Sequence, residues 1–468
     1  MKTSLQQLQS WLGLPPAGAA SQVALNGLCT DSRAVTPGSL FVALRGERFD
    51  AHDFLEQVVA QGAAAVVVER DPGTLAVPAL VVSDTRAALG RIGQCWRQQF
   101  TLPLIAVTGS NGKTTVKEMI AAILAAAFGV DKSLATRGNF NNEIGVPLTL
   151  LRLEAGHQAA VIELGMNHPG EIALLTALAE PTVGLVNNAQ REHQEFMASV
   201  AAVAEENGSV IRGLPASGIA VFPADDPYTG LWRGYAACKA GSISFGLTPD
   251  ADVSCSYASA AHGFGSDLIV TFATAGGPQI FALQLAAAGE HNVRNALAAI
   301  ACTLAIGVDV AAIKRGLETF VPVSGRLQRK LATVAGCAGA LVIDDTYNAN
   351  PDSVRAAIDV LAQAGAPRLL VLGDMGEVGN EGSKFHQEIG AYAQQRGISR
   401  LFTLGELAAD ASAAFGPQAQ HFNDIAALLA ALDATMTPDT TVLIKGSRFM
   451  KMERAVQHLA GTTSEGIH

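Results

Sequence analysis

Val107-Thr108-Gly109-Ser110-Asn111-Gly112-Lys113-Thr114-Thr115 joins an apolar run, Leu104 to Val107, to a segment with helical periodicity. In that segment, Val116 to Phe128, the residues Met119, Ile120, Ile123, Leu124 and Phe128 recur at the spacing of one helix face. The glycines therefore fall on the turn between a buried strand and a helix, where backbone amides and the helix N-terminus converge on anions. Gly109 and Gly112 open backbone conformations closed to residues with a Cβ. Lys113 is placed to reach terminal phosphates and the Thr114 hydroxyl to hold Mg²⁺. The pattern is the short G-x-x-G-K-T-T, with Val at position 107 instead of a first glycine. A bare Gly-Lys-Thr also fits an ordinary strand-to-helix turn; the flanking strand and helix favour a nucleotide.

With 468 residues, the chain has room for about three domains. Hydrophobic residues make up 49%, which supports several packed cores and argues against disorder. The net charge of −10, without a Lys/Arg-rich tract, argues against nucleic-acid binding. Six cysteines are scattered with no C-x-x-C, so neither a zinc knuckle nor a disulfide framework is expected. Residues 1–16 lack the features of a signal peptide. The apolar run Ala296 to Ile306 is too short to span a bilayer, so no membrane insertion and a cytoplasmic location are expected.

Around the loop, residues 1–99 read as a small α/β domain with strands at Leu40–Leu44, Ala65–Val68 and Ala79–Val82 and a helix at Phe54–Gln61. Its polar segments, Thr30 to Arg33 and Arg45 to Asp53, follow or precede strands; they suit ligand loops or plain solvated connections. Residues 100–323 contain the phosphate loop. The strand Ala160–Ile162 runs into Glu163, placed either to hold Mg²⁺ or to cap or pair. The strand Val183–Val186 leads to Asn187-Asn188-Ala189 and then His193, a structural histidine or a metal contact. Gly138 to Pro147 is dense in amide side chains, including Asn141 and Asn142. Asn292 and Asn295 lie one helical turn apart and could bracket a base or ribose, or simply begin a helix. After a break at Pro322–Gly325, residues 324–468 alternate strand and helix. Strands at Leu341–Ile343, Leu369–Leu372, Leu401–Leu404 and Val442–Ile444, with helices such as Ser353–Ala364 and Phe385–Arg396, predict a doubly wound sheet. Polar clusters Asp344 to Asn350, Gly373 to Glu377 and Lys445 to Arg448 fall just past strand ends.

In order and spacing, these motifs resemble the Mur ligase family over almost the whole chain. The stretches that carry the resemblance are Asp31-Ser32-Arg33 with Gly46 to His52, Thr108 to Thr115, Asn141 to Pro147, and Glu163 to Glu171. His291 to Asn295, Asp345 to Pro351, Gly373 to Glu377 and Lys445 to Ser447 complete the set. The resemblance implies an α/β protein of three domains: a UDP-binding domain (1–99), a central P-loop ATPase-like domain with a mostly parallel sheet (100–323), and a C-terminal Rossmann-like domain (324–468). It is closest to the branch that ligates D-alanyl-D-alanine to UDP-N-acetylmuramoyl-tripeptide through an acyl phosphate, a cytoplasmic step of peptidoglycan synthesis. It implies ATP and two Mg²⁺ ions, and a monomer is expected.

Carried onto this chain, Lys113, Glu163 and His193 are the catalytic residues. Thr108 to Thr115, Asn292, Asn295, Arg326, Asp345, Tyr347 and Asn348 contact ATP. Ser32, Arg33, Gly46, Glu47, Asn141, Asn142, Asn350, Lys445 and Ser447 contact the other substrates. Thr114, Glu163 and His193 hold metal. The family's metal-bridging lysine is missing, since no lysine occurs between Lys132 and Lys239 and its position falls at or near Asn207. Glu206, or the Asn207 carbonyl with a water, is expected to take its place. Alternatives are a sister ligase that adds a single amino acid (the one that adds the third residue generally carries an Asp-Asn-Pro-Arg signature, absent here) and a folylpolyglutamate synthase-like enzyme, which lacks the UDP-binding domain. A further alternative is a nucleotide-gated binding protein without ligation.

Overall fold

The computed structural model describes residues 1–16, 22–192, 195–260 and 264–461. Leu104–Thr108 is a strand in the interior of a nine-stranded sheet. From edge to edge the strands are Gln279–Leu285, Ser266–Phe272, Val253–Ser259, Gly241–Gly246, Ile219–Pro223, Val183–Val186, Leu104–Thr108, Ala159–Glu163 and Ser133–Ala135. All pairs are parallel except the last two toward the Gln279–Leu285 edge, which are antiparallel. Successive residues of the central strand face opposite cores. Ile105 and Val107 join Met119, Ile120 and Ile123 on one side, while Leu104 and Ala106 join Ile162 and Val186 on the other. Burial on both faces explains why the strand reads as an unbroken apolar run.

After Leu104–Thr108 the chain builds two strands to one side, then crosses to Val183–Val186 on the other. The order thus reverses beside the central strand, and the crevice at the carboxyl ends of these two strands is where open α/β sheets bind ligands.

A second sheet has the order Gln328–Leu331, Leu341–Asp345, Thr441–Lys445, Arg368–Gly373, Arg400–Leu404, Ala419–Phe422. Its first pair is antiparallel and the rest are parallel. A four-stranded parallel sheet (Leu28–Cys29, Leu40–Val42, Ala65–Val68, Ala79–Val81) and a two-stranded pairing of Lys2–Ser4 with Ala24–Asn26 precede the large sheet.

The expected strands and helices are present, with ends shifted by a few residues. The phosphate-loop helix begins at Lys113, and the helix expected from Phe54 is a 3-10 turn, Ala51–Phe54, followed by Leu55–Ala60. The antiparallel strands of the large sheet were not legible beforehand. In Ser266–Phe272, Ser266 is buried while Ile269 is exposed, so polarity does not report facing there.

Candidate functional site

The phosphate loop is shaped by close approach. Gly109 has φ +140 and Gly112 has φ +82. A Cβ on Gly109 would sit 2.9 Å from the Asn187 Cβ, and one on Gly112 would sit 2.7 Å from Asn187 Nδ2 and press on the Asn295 amide. Gly112 starts the helix Lys113–Phe128 with no side-chain cap, which leaves the first-turn amides for an anion. Lys113 curls back over the loop: its Nζ donates to Gly109 O (2.6 Å), Ser110 O (3.1 Å) and Glu192 Oε1 (3.1 Å).

Amides brace the loop from below. Asn187 Nδ2 donates to Asn111 O and to Asn295 Oδ1, and Asn295 Nδ2 donates to Asn292 Oδ1. Asn292 and Asn295 thus line the site while tying the helix Glu290–Ala305 to the loop. Asn188 Oδ1 accepts from the Asn111 amide, and Gln190 Oε1 accepts from Asn111 Nδ2 at 2.6 Å.

The carboxyl ends of the two larger sheets face one another across a cavity of about 920 Å³. Its walls carry Ser110 to Thr115, Asn141, Asn142, Glu163, Asn292, Asn295, Arg326, Asp345, Tyr347, Asn348, Asn350 and Lys445, so most of the expected ATP and substrate contacts converge. Thr108 and Gly109 lie just behind, and Thr108 Oγ1 donates to Asn207 Oδ1 at 2.8 Å. Arg326 donates to Thr114 Oγ1 at 2.9 Å and stacks over Tyr347 at 4.1 Å. Asn350 caps the helix Pro351–Gln363 and donates from Nδ2 to Asn111 Oδ1 at 2.8 Å. Buried Lys445 and partly buried Asp345, opposite one another on neighbouring strands, form an ion pair of 2.5 Å.

Glu163 is the cavity's unsatisfied acid. It is 2% exposed; Oε1 accepts from Asn141 Nδ2 at 2.9 Å, while buried Oε2 has no hydrogen-bond partner among the described residues. A buried carboxylate oxygen without a donor is costly unless a cation meets it. With the Thr114 hydroxyl, the donor set is all oxygen, which suits Mg²⁺. Among the described residues there is no cluster of three His, Cys, Asp or Glu that could hold a metal. His193 lies outside the described residues.

Two of the expected residues do not line this cavity. Glu206 does not line the cavity; its Oε1 accepts from the Ile172 amide at 2.8 Å, in the first turn of the helix Glu171–Ala179. Glu206 and Asn207 are successive helical residues and point in different directions, so Asn207 faces Thr108 and Glu206 does not. Ser447 is 2% exposed and is occupied in bracing loops: it donates to Ala349 O and accepts from the Gly376 amide. Ser32, Arg33, Gly46 and Glu47 belong to loops of the four-stranded sheet and line neither this cavity nor a smaller one of about 320 Å³ at Arg45, Glu69 and Ser83 to Arg86.

The structure also brings in residues the sequence did not single out. Asp225 and Asp226, just past the strand Ile219–Pro223, line the cavity with Arg294, which pairs with Asp225 at 2.7 Å. Burial, with Asp225 alongside, raises the Asp226 pKa. Their place past a strand end was the available signal. Burial pushes the pKa of His291, also on the wall, down to about 4.

A phosphate loop at one sheet's switch point, closed over by the strand ends of a second sheet, defines a nucleotide-dependent enzyme built around a cavity between the two sheets. Three family models match: the Mur ligase family catalytic domain at 24–94, the Mur ligase middle domain at 107–303 and the Mur ligase glutamate ligase domain at 325–448. The chain belongs to the Mur ligase family and is an ATP-dependent ligase. It is 41% identical to the UDP-N-acetylmuramoyl-tripeptide–D-alanyl-D-alanine ligase of Escherichia coli K12 over 98% of both chains. It is 35% identical to the Bacillus subtilis enzyme of the same name over 94% of both. MurF from Acinetobacter baumannii superposes with a TM-score of 0.89 at 35% identity, covering 99% of both chains. MurF from Thermotoga maritima in complex with ADP gives 0.81 at 25% identity, over 92% of this chain and 96% of that one.

Proposed function

We propose that this chain joins D-alanyl-D-alanine to the terminal carboxylate of UDP-N-acetylmuramoyl-tripeptide at the expense of ATP, the last cytoplasmic step toward the UDP-muramoyl-pentapeptide. The observation that carries the reading is the phosphate loop facing the strand ends of the second sheet across one large polar cavity. At about 920 Å³ that cavity is near the upper end for small-molecule sites, which suits a nucleotide beside a peptide end. Full-length similarity to ligases of this name supports the substrate assignment.

The reaction brings two anions together, so cationic groups must sit where they meet. Lys113 supplies one, released from the loop carbonyls onto the terminal phosphates. Thr114 and Glu163 would hold Mg²⁺, which when bound neutralises phosphate charge. Arg326 reaches the same point from the second sheet. The γ-phosphoryl group passes to a carboxylate oxygen and ADP leaves. The dipeptide amine then attacks the acyl carbon, loses a proton, and the tetrahedral intermediate expels phosphate. Asn292 and Asn295 hold the nucleotide end of the cavity; Asp345, Tyr347 and Asn348 meet it from the second sheet. Asn141, Asn142, Asn350 and Lys445 serve the peptide ends, and Ser32, Arg33, Gly46 and Glu47 the UDP end.

The same reading divides the chain at about residues 99 and 323 into three domains and makes it a monomeric cytoplasmic enzyme. Among the described residues no helix is long and apolar enough to cross a membrane. ADP release, measured with tripeptides ending in diaminopimelate or lysine, tests the proposal: it should require both the UDP-tripeptide and D-Ala-D-Ala. ADP release independent of the dipeptide would overturn it.

A further inference from the structure

Arg191 stands between two residues that grip the phosphate loop. On one side, Gln190 exchanges hydrogen bonds with Ser110 and accepts from Asn111; on the other, Glu192 pairs with Lys113. Arg191 itself points to the second sheet's helices. Its guanidinium donates to Asp352 Oδ1 at 2.6 and 3.1 Å, and its backbone amide donates to Asp352 Oδ2 at 2.9 Å. It also forks onto Glu388 at 2.8 and 3.1 Å. The guanidinium lies 5.4 Å from the Phe385 ring centre, and Arg355 holds Glu388 from behind at 3.1 Å. Arg191, Asp352 and Glu388 are each half-buried. The pairing holds the Glu388 carboxyl below its ordinary pKa and raises that of Arg191.

We propose that Arg191 is a positioning residue: it latches the second sheet closed over the phosphate loop, and its neighbours tie that closed state to Ser110, Asn111 and Lys113. The proposal rests on the cavity being the reaction site. Two carboxylates from two helices converge on one arginine, so the contact forms only when the second sheet's helices sit against residues 187–192. Closure then costs ATP and dipeptide less of their binding energy. Weakening the latch lowers the closed fraction, which scales the apparent affinity of every ligand needing closure by a common factor.

Steady-state kinetics and solution scattering test this with the full chain. Arg191→Ala should raise KM for ATP and for D-Ala-D-Ala together, by roughly 10- to 100-fold, the worth of one charge-assisted contact, with kcat changed less than about threefold. Arg191→Lys should recover part of the loss, since it keeps the charge without the fork. Added salt should raise both KM values more steeply in the wild type than in Arg191→Ala. Small-angle scattering should give Arg191→Ala the larger radius of gyration. Unchanged KM values, a fall in kcat alone, equal salt dependence or equal radii would each overturn the latch. If Arg191→Ala does not fold, Glu388→Gln removes one arm and should act in the same direction, with the same outcomes decisive. Lys113→Ala separates the two readings: activity surviving there would overturn the site assignment, while the scattering comparison would still decide the latch.

Discussion

Replacing Gly112 by alanine should disable nucleotide binding while leaving the sheets intact. At φ +82 an L-residue is strained by about 1–2 kcal/mol. The new methyl would also lie 2.7 Å from Asn187 Nδ2 and 3.0 Å from Asn295 Cγ. Neither amide can yield freely, because Asn187 Nδ2 bonds Asn295 Oδ1 at 2.9 Å and the Asn111 carbonyl at 2.8 Å. Forcing a methyl into such a contact costs about 1–3 kcal/mol. The sum is about 2–5 kcal/mol. If the loop relieves it by leaving its binding shape, ATP affinity falls by about 30-fold at the lower bound and 1,000-fold or more above it. Titration calorimetry with ATP and Mg²⁺ measures this directly. Gly156→Ala is the control: that glycine has nothing within 4 Å and no positive φ, so its effect should stay within about 0.5 kcal/mol. ATP binding by Gly112→Ala within threefold of wild type would refute the view that the Asn187–Asn295 amides are rigid supports.

Glu163→Gln should raise the Mg²⁺ concentration needed for ADP release and at the same time raise the thermal midpoint, because it removes a buried charge on an oxygen without a partner; a lowered midpoint would count against the orphan-oxygen argument. Lys445→Met should cost about 3–5 kcal/mol in urea unfolding by stranding the Asp345 carboxylate, and Asp345→Asn in the same chain should recover part of it. His291 should make the protein less stable as pH falls from 6.5 toward 4. Its folded pKa of about 4 lies below the ordinary 6.5, so across that window the unfolded chain binds more protons and stability is lost on acidification. The loss is at most about 3 kcal/mol, and His291→Asn should flatten this part of the unfolding profile.

Local signals carried much of this molecule. The phosphate loop, its strand and its helix are contiguous, and burial on both sheet faces writes them as plain apolar runs. The second sheet was legible for the same reason, with Ile343, Leu370 and Leu443 in one core and Val342, Leu369, Val371 and Val442 in the other. Short edge strands such as Lys2–Ser4 and Ala419–Phe422 left too few residues for a period to register. What the sequence hid was mainly long-range. Arg191 meets Asp352 and Glu388 across 161 and 197 positions, and nothing near any of the three announces the others. Glu206 was hidden for a different reason: it adjoins Asn207 in sequence, but one step along a helix turns it to the Ile172 amide.

The strand Thr441–Lys445 inserts between Leu341–Asp345 and Arg368–Gly373, so the middle of the second sheet is made from a segment synthesised long after its neighbours. Asp345 waits for Lys445 through 100 further residues. At translation speeds of about 5–20 residues per second, that is an interval of roughly 5–20 s. Until then the second sheet lacks its middle strand, and Asp345, which lines the cavity, lacks the lysine it pairs with. The stretch of cavity wall that Asp345 and Lys445 share is therefore completed only near the end of synthesis, when that strand takes its place between its neighbours.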